Sequence, residues 1–467
     1  MQQASAGSHK ANLPKSTHTS FFLQSHAVRT LLPQRAPWRG RQPMHGIPGR
    51  SVSPLAALPE SGIRKGTSLL EWTNKILPQG QLVNGVRQGW RLAWLAMMQE
   101  LAPQTAKGQY SRPQYAFNGH IGDAQFPSES GRYHLYLGNA CPWCHRVALA
   151  AVLRGHLVAP TATVLPQQQR RQLPQRPQPL QHVTLTRLED NPTRARRGGW
   201  VFTAADPDPV FRAVDLWEVY DTCQPGFRGR CTAPLMVDRV RRVEVCNESA
   251  EIVRSLDEMH LLGCTDVQLR PKHLAAQIDE LNAKIYSAIN NGVYSSGFAT
   301  TQEAYETVQA EFWSALDEME ARLKSSRFLL GERLTESDVW LFPTIVRLDA
   351  VYGPLFKCCR RRIFGAASPS GAVSGGGGGF GGAGDYPALA AWARDIWQIK
   401  VPGSRLQISD TLDLDAARSS YFRNLFPLNP GGIVAAGPTA ADLRLQDLPA
   451  GRGSTALQDM CYPRDSG

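Results

Sequence analysis

The sequence of 467 residues lacks several features that would each assign it to a class of protein. It has no run of the ~20 apolar residues that a membrane-spanning helix needs. It has no cysteine before Cys141, and its nine cysteines do not form evenly spaced pairs, which disfavours a secreted disulfide-stabilised scaffold. With 42% hydrophobic and 19% charged residues, the rest of the composition is that of a globular protein of two or three domains.

Acidic residues are absent from the N-terminus, where the first one is Glu60. The segment 1–60 is instead rich in Ser, Ala, Gln and Arg, which is the composition of organellar transit peptides. We therefore predict a transit peptide and a chloroplast location, with the mitochondrion as the alternative. A disordered basic arm is the other interpretation of the same composition.

The net charge of +11 is concentrated in two segments. Segment 1–59 holds seven Lys and Arg and no acid, and segment 166–199 holds seven Arg against two acids. Because the remainder is close to neutral, the folded part of the chain has no basic surface typical of nucleic-acid binding, and we expect no nucleic-acid partner.

The central part of the sequence predicts a mixed α/β region followed by an all-α region. A strand is expected at 132–137, followed by Cys-Pro-Trp-Cys at 141–144 and a helix at 145–153. Short helices are expected at 69–72 and 90–94, and an extended arm at 113–127. Later helices are expected at 210–221, 250–256, 272–290, 302–324, 336–352 and 386–398, and later strands at 233–237 and 243–245. The Gln-, Pro- and Arg-rich segment 163–182 and the Gly-rich segment 365–384 are interpreted as surface insertions.

The Cys-Pro-Trp-Cys segment is the strongest candidate for chemistry. A cysteine at a helix N-terminus lies near free backbone N–H groups and the positive end of the helix dipole, and both favour the thiolate. Pro142 suits the first turn of that helix. The segment therefore predicts that Cys141 is a nucleophilic, redox-active sulfur.

Three other interpretations of this segment stay open at the level of sequence. Cys141, Cys144 and His145 match the pattern of c-type haem attachment, although that pattern requires no preceding strand. A structural zinc site would need a second well-spaced cysteine pair, which the chain does not offer, so we expect no metal. The third interpretation is that the two cysteines are buried bystanders, which the intervening proline makes less attractive.

Several segments together resemble one family. They are RYHLYLGNACPWCHR (132–146), GGWVF (198–202), TAPLMVD (232–238), CNESAEIVR (246–254), NNGVYSSGFA (290–299), LTESDVWLFPTIVRLDAVY (334–352) and LNPGGIVAAGP (428–438). In combination they are similar to the glutathionyl-hydroquinone reductases, the xi-class glutathione transferases, in their plastid algal and plant form.

The resemblance implies an α/β thioredoxin-like N-terminal domain followed by an all-α glutathione-transferase C-terminal domain, assembled as a homodimer. On that basis 1–60 is the transit peptide and 61–125 an N-terminal extension. The thioredoxin-like glutathione-binding domain covers 126–262, the all-α substrate domain 263–440, and a tail 441–467.

The resemblance also implies a reaction and a set of site residues. Glutathione is the co-substrate, and Cys141 takes it from a glutathionyl-hydroquinone as a mixed disulfide that a second glutathione resolves. Five residues would bind glutathione: Trp200, Ala233, Pro234, Glu248 and Ser249. From the residues alone, Glu248 and Ser249 fit either an ordinary helix N-cap or a site for the γ-glutamyl group.

Three tyrosines complete the implied site. Tyr294, Tyr352 and Tyr421 match residues that line the hydroquinone pocket of the family, where phenol hydroxyls would bind the substrate oxygens. Two other functions remain as alternatives: a glutaredoxin-like thioltransferase or dehydroascorbate reductase that uses Cys141 with Cys144, and a non-catalytic ligand-binding protein with the same scaffold.

Overall fold

The computed structural model describes residues 79–103, 105, 117–157, 182–365, 384–402, 407–446 and 452–464. The predicted transit peptide 1–60 and the helix expected at 69–72 lie outside these residues, as do nearly all of the insertions 163–182 and 365–384. Across the described ranges, no helix combines the length and the apolar composition needed to cross a membrane.

A mixed five-stranded sheet forms the first half of the fold, in the order β3-β2-β1-β4-β5. The strands are β1 (Tyr133–Gly138), β2 (Val183–Asp190), β3 (Trp200–Val201), β4 (Leu235–Asp238) and β5 (Val243–Cys246). The central strand β1 pairs in parallel with β2 and antiparallel with β4, and all six of its residues are buried. A strand that is covered on both faces reads as a continuous run of buried side chains, as β1 does.

Four helices accompany the sheet: α1 (Gln79–Leu101), α2 (Pro142–Leu153), α3 (Leu216–Cys223) and α4 (Ser249–Glu258). Three residues separate the end of β1 from the start of helix α2, which is buried along its whole length. Because a parallel strand needs a crossover connection, α2 leads the chain from β1 back to β2. The position of Cys141 follows from this connection, since it lies in the turn between β1 and α2.

Helices make up the second half of the described chain. They are α5 (Ala275–Lys284), α6 (Asn291–Gly297), α7 (Gln302–Ser325), α8 (Glu336–Arg347), α9 (Gly353–Phe356), α10 (Pro387–Trp397), α11 (Leu414–Asn424), α12 (Ala440–Leu443) and α13 (Leu457–Met460). Short 3₁₀ segments occur at Lys272–Leu274 and Ile408–Thr411, and π-helical segments at Ile285–Asn290 and Leu348–Tyr352. Helix α8 begins with a capping box between Thr335 and Asp338.

The prediction of a helix at 210–221 is partly wrong. It begins at Leu216, because the Asp215 side chain accepts the N–H of Glu218 and caps the helix there. The preceding residues form a turn in which the Asp208 carboxylate accepts three backbone N–H groups.

Other elements differ in extent from the expectation. The short helix at 90–94 is part of the 23-residue helix α1. The strands β2 and β3 and the helix α11 have no counterpart among the predicted elements. The described part of the arm at 113–127 runs beside the sheet, where Asn118 forms a bridge with Cys246.

Candidate functional site

Cys141 is the N-cap of helix α2, and its side chain is 8% exposed. Its sulfur accepts the backbone N–H of Cys144 at 3.3 Å and donates to the carbonyl of Ala233 at 3.5 Å. The N–H contact is one that a thiolate strengthens, because a charged acceptor binds a donor more tightly. The strand-turn-helix arrangement predicted from the sequence is therefore present.

The two cysteines of the turn have opposite acidities. Burial acts to raise the pKa of Cys141, but the hydrogen bonds from Cys144 and the positive charge of Arg347 outweigh it and lower that pKa. Burial and the neighbouring Cys141 sulfur raise the pKa of the Cys144 thiol well above its usual range. At neutral pH Cys144 is thus the protonated partner, and Cys141 is the more acidic thiol of the pair.

A cavity of about 790 Å³ opens beside Cys141 and contains most of the predicted site. Of the predicted site residues, Cys141, Trp200, Ala233, Tyr294 and Tyr421 line it. Four arginines also line this cavity: Arg196, Arg197, Arg228 and Arg230. The volume falls in the range of pockets for drug-sized ligands, and the basic wall suits a ligand that carries carboxylates.

Trp200 is positioned by a glycine at the end of β1. A Cβ atom on Gly138 would lie 2.2 Å from the indole Cζ3 of Trp200, so the ring occupies the space that any side chain at position 138 would fill. Trp200 is paired with Asp190 across β2 and β3. Gly138 therefore joins the turn that carries Cys141 and also contacts the Trp200 ring.

Three of the residues predicted to bind glutathione lie outside the lining of the cavity: Pro234, Glu248 and Ser249. The Ala233–Pro234 peptide is cis. Glu248 is the N-cap of α4, where its carboxylate accepts the N–H of Ala250 at 3.0 Å and the Ser249 hydroxyl at 3.2 Å. The capping role is thus visible in the structure, and the ligand-binding role of these residues stays a prediction.

The three predicted tyrosines form a hydrogen-bonded group. The hydroxyl of Tyr421 lies 2.6 Å from that of Tyr294 and 3.4 Å from that of Tyr352. Tyr294 and Tyr421 reach the cavity, whereas Tyr352 is fully buried behind them. Burial is the largest cause that raises the pKa of all three phenols, so each hydroxyl keeps its proton and is available as a donor.

Residues of the helical half hold the turn that carries Cys141. Arg347, the last residue of α8, donates to the Asn139 carbonyl at 3.1 Å and to Nδ1 of His145 at 2.9 Å. The Asn139 side chain in turn exchanges two hydrogen bonds with the backbone of Asp413, at 2.8 and 2.9 Å. No local pattern in the sequence indicates these contacts, because each joins residues more than 200 positions apart.

Within the described residues, no group of three or more His, Cys, Asp or Glu side chains is placed to hold a metal ion. The site residues predicted from the sequence are thiol, phenol, indole and backbone groups, together with one carboxylate and one hydroxyl. These groups fit thiol chemistry on an organic ligand.

Comparison with known proteins assigns the family. Residues 302–395 match the protein family described as "Glutathione S-transferase, C-terminal domain". The chain is 33% identical over 363 residues to the glutathionyl-hydroquinone reductase PcpF of Sphingobium chlorophenolicum, a similarity that spans 77% of this chain and 96% of that protein.

Two solved structures share the fold. The xi glutathione S-transferase of Phanerochaete chrysosporium superposes with a TM-score of 0.58 at 30% identity, over 74% of this chain and 96% of that one. The glutathione-bound structure of YqjG, a glutathione transferase homologue of Escherichia coli, has a TM-score of 0.57 at 33% identity, over 72% and 96%.

These similarities agree with the observed arrangement of a mixed sheet followed by helices. The predicted fold class, a thioredoxin-like α/β half followed by an all-α glutathione-transferase half, is confirmed. The extent of the similarity and its level of identity are sufficient to place the chain in one group of enzymes. The chain belongs to the glutathionyl-hydroquinone reductases, the xi class of the glutathione transferase superfamily.

Proposed function

We propose that this chain reduces glutathionyl-hydroquinones to hydroquinones at the expense of glutathione, with Cys141 as the nucleophile. The observation that carries the proposal is that the Cys141 sulfur lines the same cavity as Trp200 and two protonated phenols, Tyr294 and Tyr421. The same cavity thus offers a thiolate to a sulfur atom and hydroxyl donors to an aromatic diol.

The reaction proceeds in two steps that balance. The Cys141 thiolate attacks the sulfur of the aryl thioether, and the carbon–sulfur bond breaks as the new sulfur–sulfur bond forms. The aryl carbon takes the bonding electron pair and a proton and leaves as the free hydroquinone, so the carbon is reduced and the two sulfurs are oxidised. A second glutathione thiolate then attacks the mixed disulfide, which releases oxidised glutathione and restores the Cys141 thiolate.

The predicted site residues have separate roles in these steps. Trp200 packs along the bound glutathione, and the Ala233 backbone binds its cysteinyl part, while Glu248 and Ser249 are proposed to bind the γ-glutamyl end. Tyr294 and Tyr421 donate to the ring oxygens and assist protonation of the leaving carbon. Electrostatic support comes from the arginines of the cavity wall, since glutathione carries two carboxylates.

Turnover of glutathionyl-menadiol by the purified full-length chain tests the proposal. We expect Cys141→Ser to abolish turnover, because a serine hydroxyl is not ionised at neutral pH and cannot form the mixed disulfide. Cys359→Ser is the matched control, since Cys359 is an exposed thiol and should be dispensable. Turnover that persists unchanged in Cys141→Ser would refute the proposal.

The dithiol alternative is separable by Cys144→Ser. The raised pKa of the buried Cys144 thiol disfavours a second nucleophile at that position, so we expect the variant to keep most of its deglutathionylation activity. Mass spectrometry of the variant after reaction with one equivalent of adduct should show a glutathione on Cys141. An absolute requirement for both cysteines would favour the glutaredoxin-like function, and hydroquinone binding without any thiol reaction would favour the non-catalytic one.

We further propose that the enzyme acts in the chloroplast as a homodimer. The support for the location is the acid-free composition of residues 1–59, and the support for the dimer is the family resemblance. Imaging of a fluorescent fusion to segment 1–60 tests the location, with mitochondrial signal as the contrary outcome. Light scattering of the purified protein tests the dimer.

A further inference from the structure

Arg347 is a wholly buried arginine whose charge has no carboxylate beside it. Its guanidinium is 0% exposed and forms no ion pair with an acidic residue in the described part of the chain. Arg154 is equally buried, but its Nε lies 3.3 Å from a carboxylate oxygen of Asp257. Burial of an ion is costly unless a countercharge compensates it, so the absence of an acid beside Arg347 requires a physical explanation.

The acceptors of Arg347 are neutral. They are the carbonyls of Pro343 and Asn139, at 2.9 and 3.1 Å, and the Nδ1 atom of His145, at 2.9 Å. The Nε atom of Arg347 has no hydrogen-bond partner. These contacts satisfy individual N–H groups and leave the positive charge uncompensated.

We propose that Arg347 is a positioning residue that supplies the countercharge for the Cys141 thiolate and holds the turn that carries it. The carbonyl of Asn139, which Arg347 binds, lies two residues before Cys141. The imidazole that it binds lies in the first turn of helix α2, which Cys141 caps. The guanidinium therefore contacts the turn on both sides of the reactive sulfur.

Other groups near the sulfur do not provide the missing negative charge. Burial keeps the Cys144 thiol protonated and the His145 imidazole neutral. It also keeps the three phenols protonated, those of Tyr294, Tyr352 and Tyr421. The charged groups that line the rest of the cavity are Asp190, Arg196, Arg197, Arg228 and Arg230. Asp190 accepts a hydrogen bond from Ser420, and its own pKa is raised by burial.

His145 of helix α2 joins Arg347 to a second segment of the helical half, at Thr411. Because an arginine only donates, Nδ1 of His145 is the acceptor, and its proton resides on Nε2. Nε2 lies 2.9 Å from the Thr411 hydroxyl and donates to it, and that hydroxyl donates to the carbonyl of Ile408. The neutral imidazole is thus fixed in one tautomer, and it adds no second positive charge.

The proposal deepens the proposed function and rests on it only where turnover is concerned. The Cys141 thiolate appears twice in the reaction, as the attacking group in the first step and as the leaving group in the second. A permanent nearby cation favours the thiolate in both, and an arginine stays charged at any working pH.

The test measures the sulfur directly and needs no hydroquinone adduct. The rate of alkylation of Cys141 by iodoacetamide is followed from pH 4 to 10 by mass spectrometry of its peptide, in the wild type and in Arg347→Met and Arg347→Lys. We expect the midpoint of the profile to rise by about one unit or more in Arg347→Met, which is a tenfold change in the ionisation equilibrium. The Lys variant keeps the charge, and its midpoint should stay closer to that of the wild type.

Controls separate this role from a merely structural one. Arg154→Met removes the equally buried arginine that has its own carboxylate, and it should leave the midpoint unchanged. If Arg347→Met fails to fold, Arg347→Lys and Arg347→Gln are compared, and only the Gln variant should show the raised midpoint. An unchanged midpoint in a folded Met or Gln variant, or the same shift in Lys and Met, would overturn the proposal while leaving the proposed function intact.

Discussion

Gly138→Ala is the sharpest test of how the cavity is built, since it adds a single methyl group beside Trp200. The new Cβ would lie 2.2 Å from the indole Cζ3, against the 3.4 Å at which ordinary contact begins, a shortfall of about 1.2 Å. The φ angle of Gly138 is not in the left-handed region, so alanine adopts this backbone without strain. The perturbation therefore acts on the indole ring alone.

The magnitude follows from which atoms can move. The clashing atoms are the far edge of the half-buried Trp200 ring, whereas the backbone of β1 is fixed by pairing on both sides. We expect the ring to swing away, at an overpacking cost of about 1–3 kcal/mol. The loss of glycine flexibility in the unfolded chain offsets about 0.4–1 kcal/mol of this cost.

Binding of glutathione should suffer more than stability. If Trp200 packs along glutathione, its displacement removes an aromatic contact, and a loss of about 1–2 kcal/mol corresponds to a five- to thirtyfold weaker interaction. The KM for glutathione should therefore rise by this factor. The melting temperature should fall only slightly, because the two contributions to stability partly cancel.

The assay measures the KM for glutathione at saturating adduct, together with thermal unfolding. Gly89→Ala is the matched control, because a Cβ there meets no atom within 4 Å and lies in helix α1, where alanine is favourable by up to about 1 kcal/mol. An unchanged KM for glutathione in Gly138→Ala would show that Trp200 does not contact the bound glutathione.

Two further predictions concern the tyrosine group and the ion pair between Arg196 and Asp215. Tyr421→Phe removes the hydroxyl that joins Tyr294 and Tyr352, and it should lower the kcat for adduct reduction by about 10- to 100-fold with little change in the KM for glutathione; an unchanged kcat would remove this hydroxyl from the reaction. Burial acts to raise the pKa of Asp215, but Arg196 and two backbone N–H groups outweigh it and lower that pKa. The stability that Asp215 contributes is thus present above its unfolded pKa of about 3.9 and is lost as the pH falls through the lower folded value. Arg196→Met should therefore cost about 1 kcal/mol of unfolding free energy at pH 7, since Arg196 is half-exposed, and the difference from the wild type should shrink below pH 4; a difference that does not depend on pH would contradict the ion-pair explanation.

The reactive turn could be predicted from the sequence because every determinant of it is local. A strand, two small breaking residues, a cysteine, a proline and a helix follow one another within about twenty residues, and the structure keeps that order. The strand β2 is also readable in retrospect, since Val183, Leu185 and Thr186 belong to a short β-rich run that begins just after an insertion.

What the sequence could not show are contacts between distant positions. The start of helix α3 was misplaced because Asp208 binds the backbone of the residues that follow it, and a hydrophobic pattern does not reveal such a turn. Arg347 lies in a helix that the sequence predicts, but its contacts with Asn139 and His145 exist only once the two halves are packed together.

The dependence of the Cys141 turn on the helical half has a consequence for the life of the chain before it is complete. Helix α8 ends more than 200 residues after Cys141, so a ribosome has made the whole sheet region long before Arg347 and Asp413 exist. Until then position 141 carries a cysteine without its arginine neighbour. If Arg347 supplies the countercharge, as proposed above, the Cys141 thiol of an unfinished chain is less acidic, and a less acidic thiol is less readily oxidised.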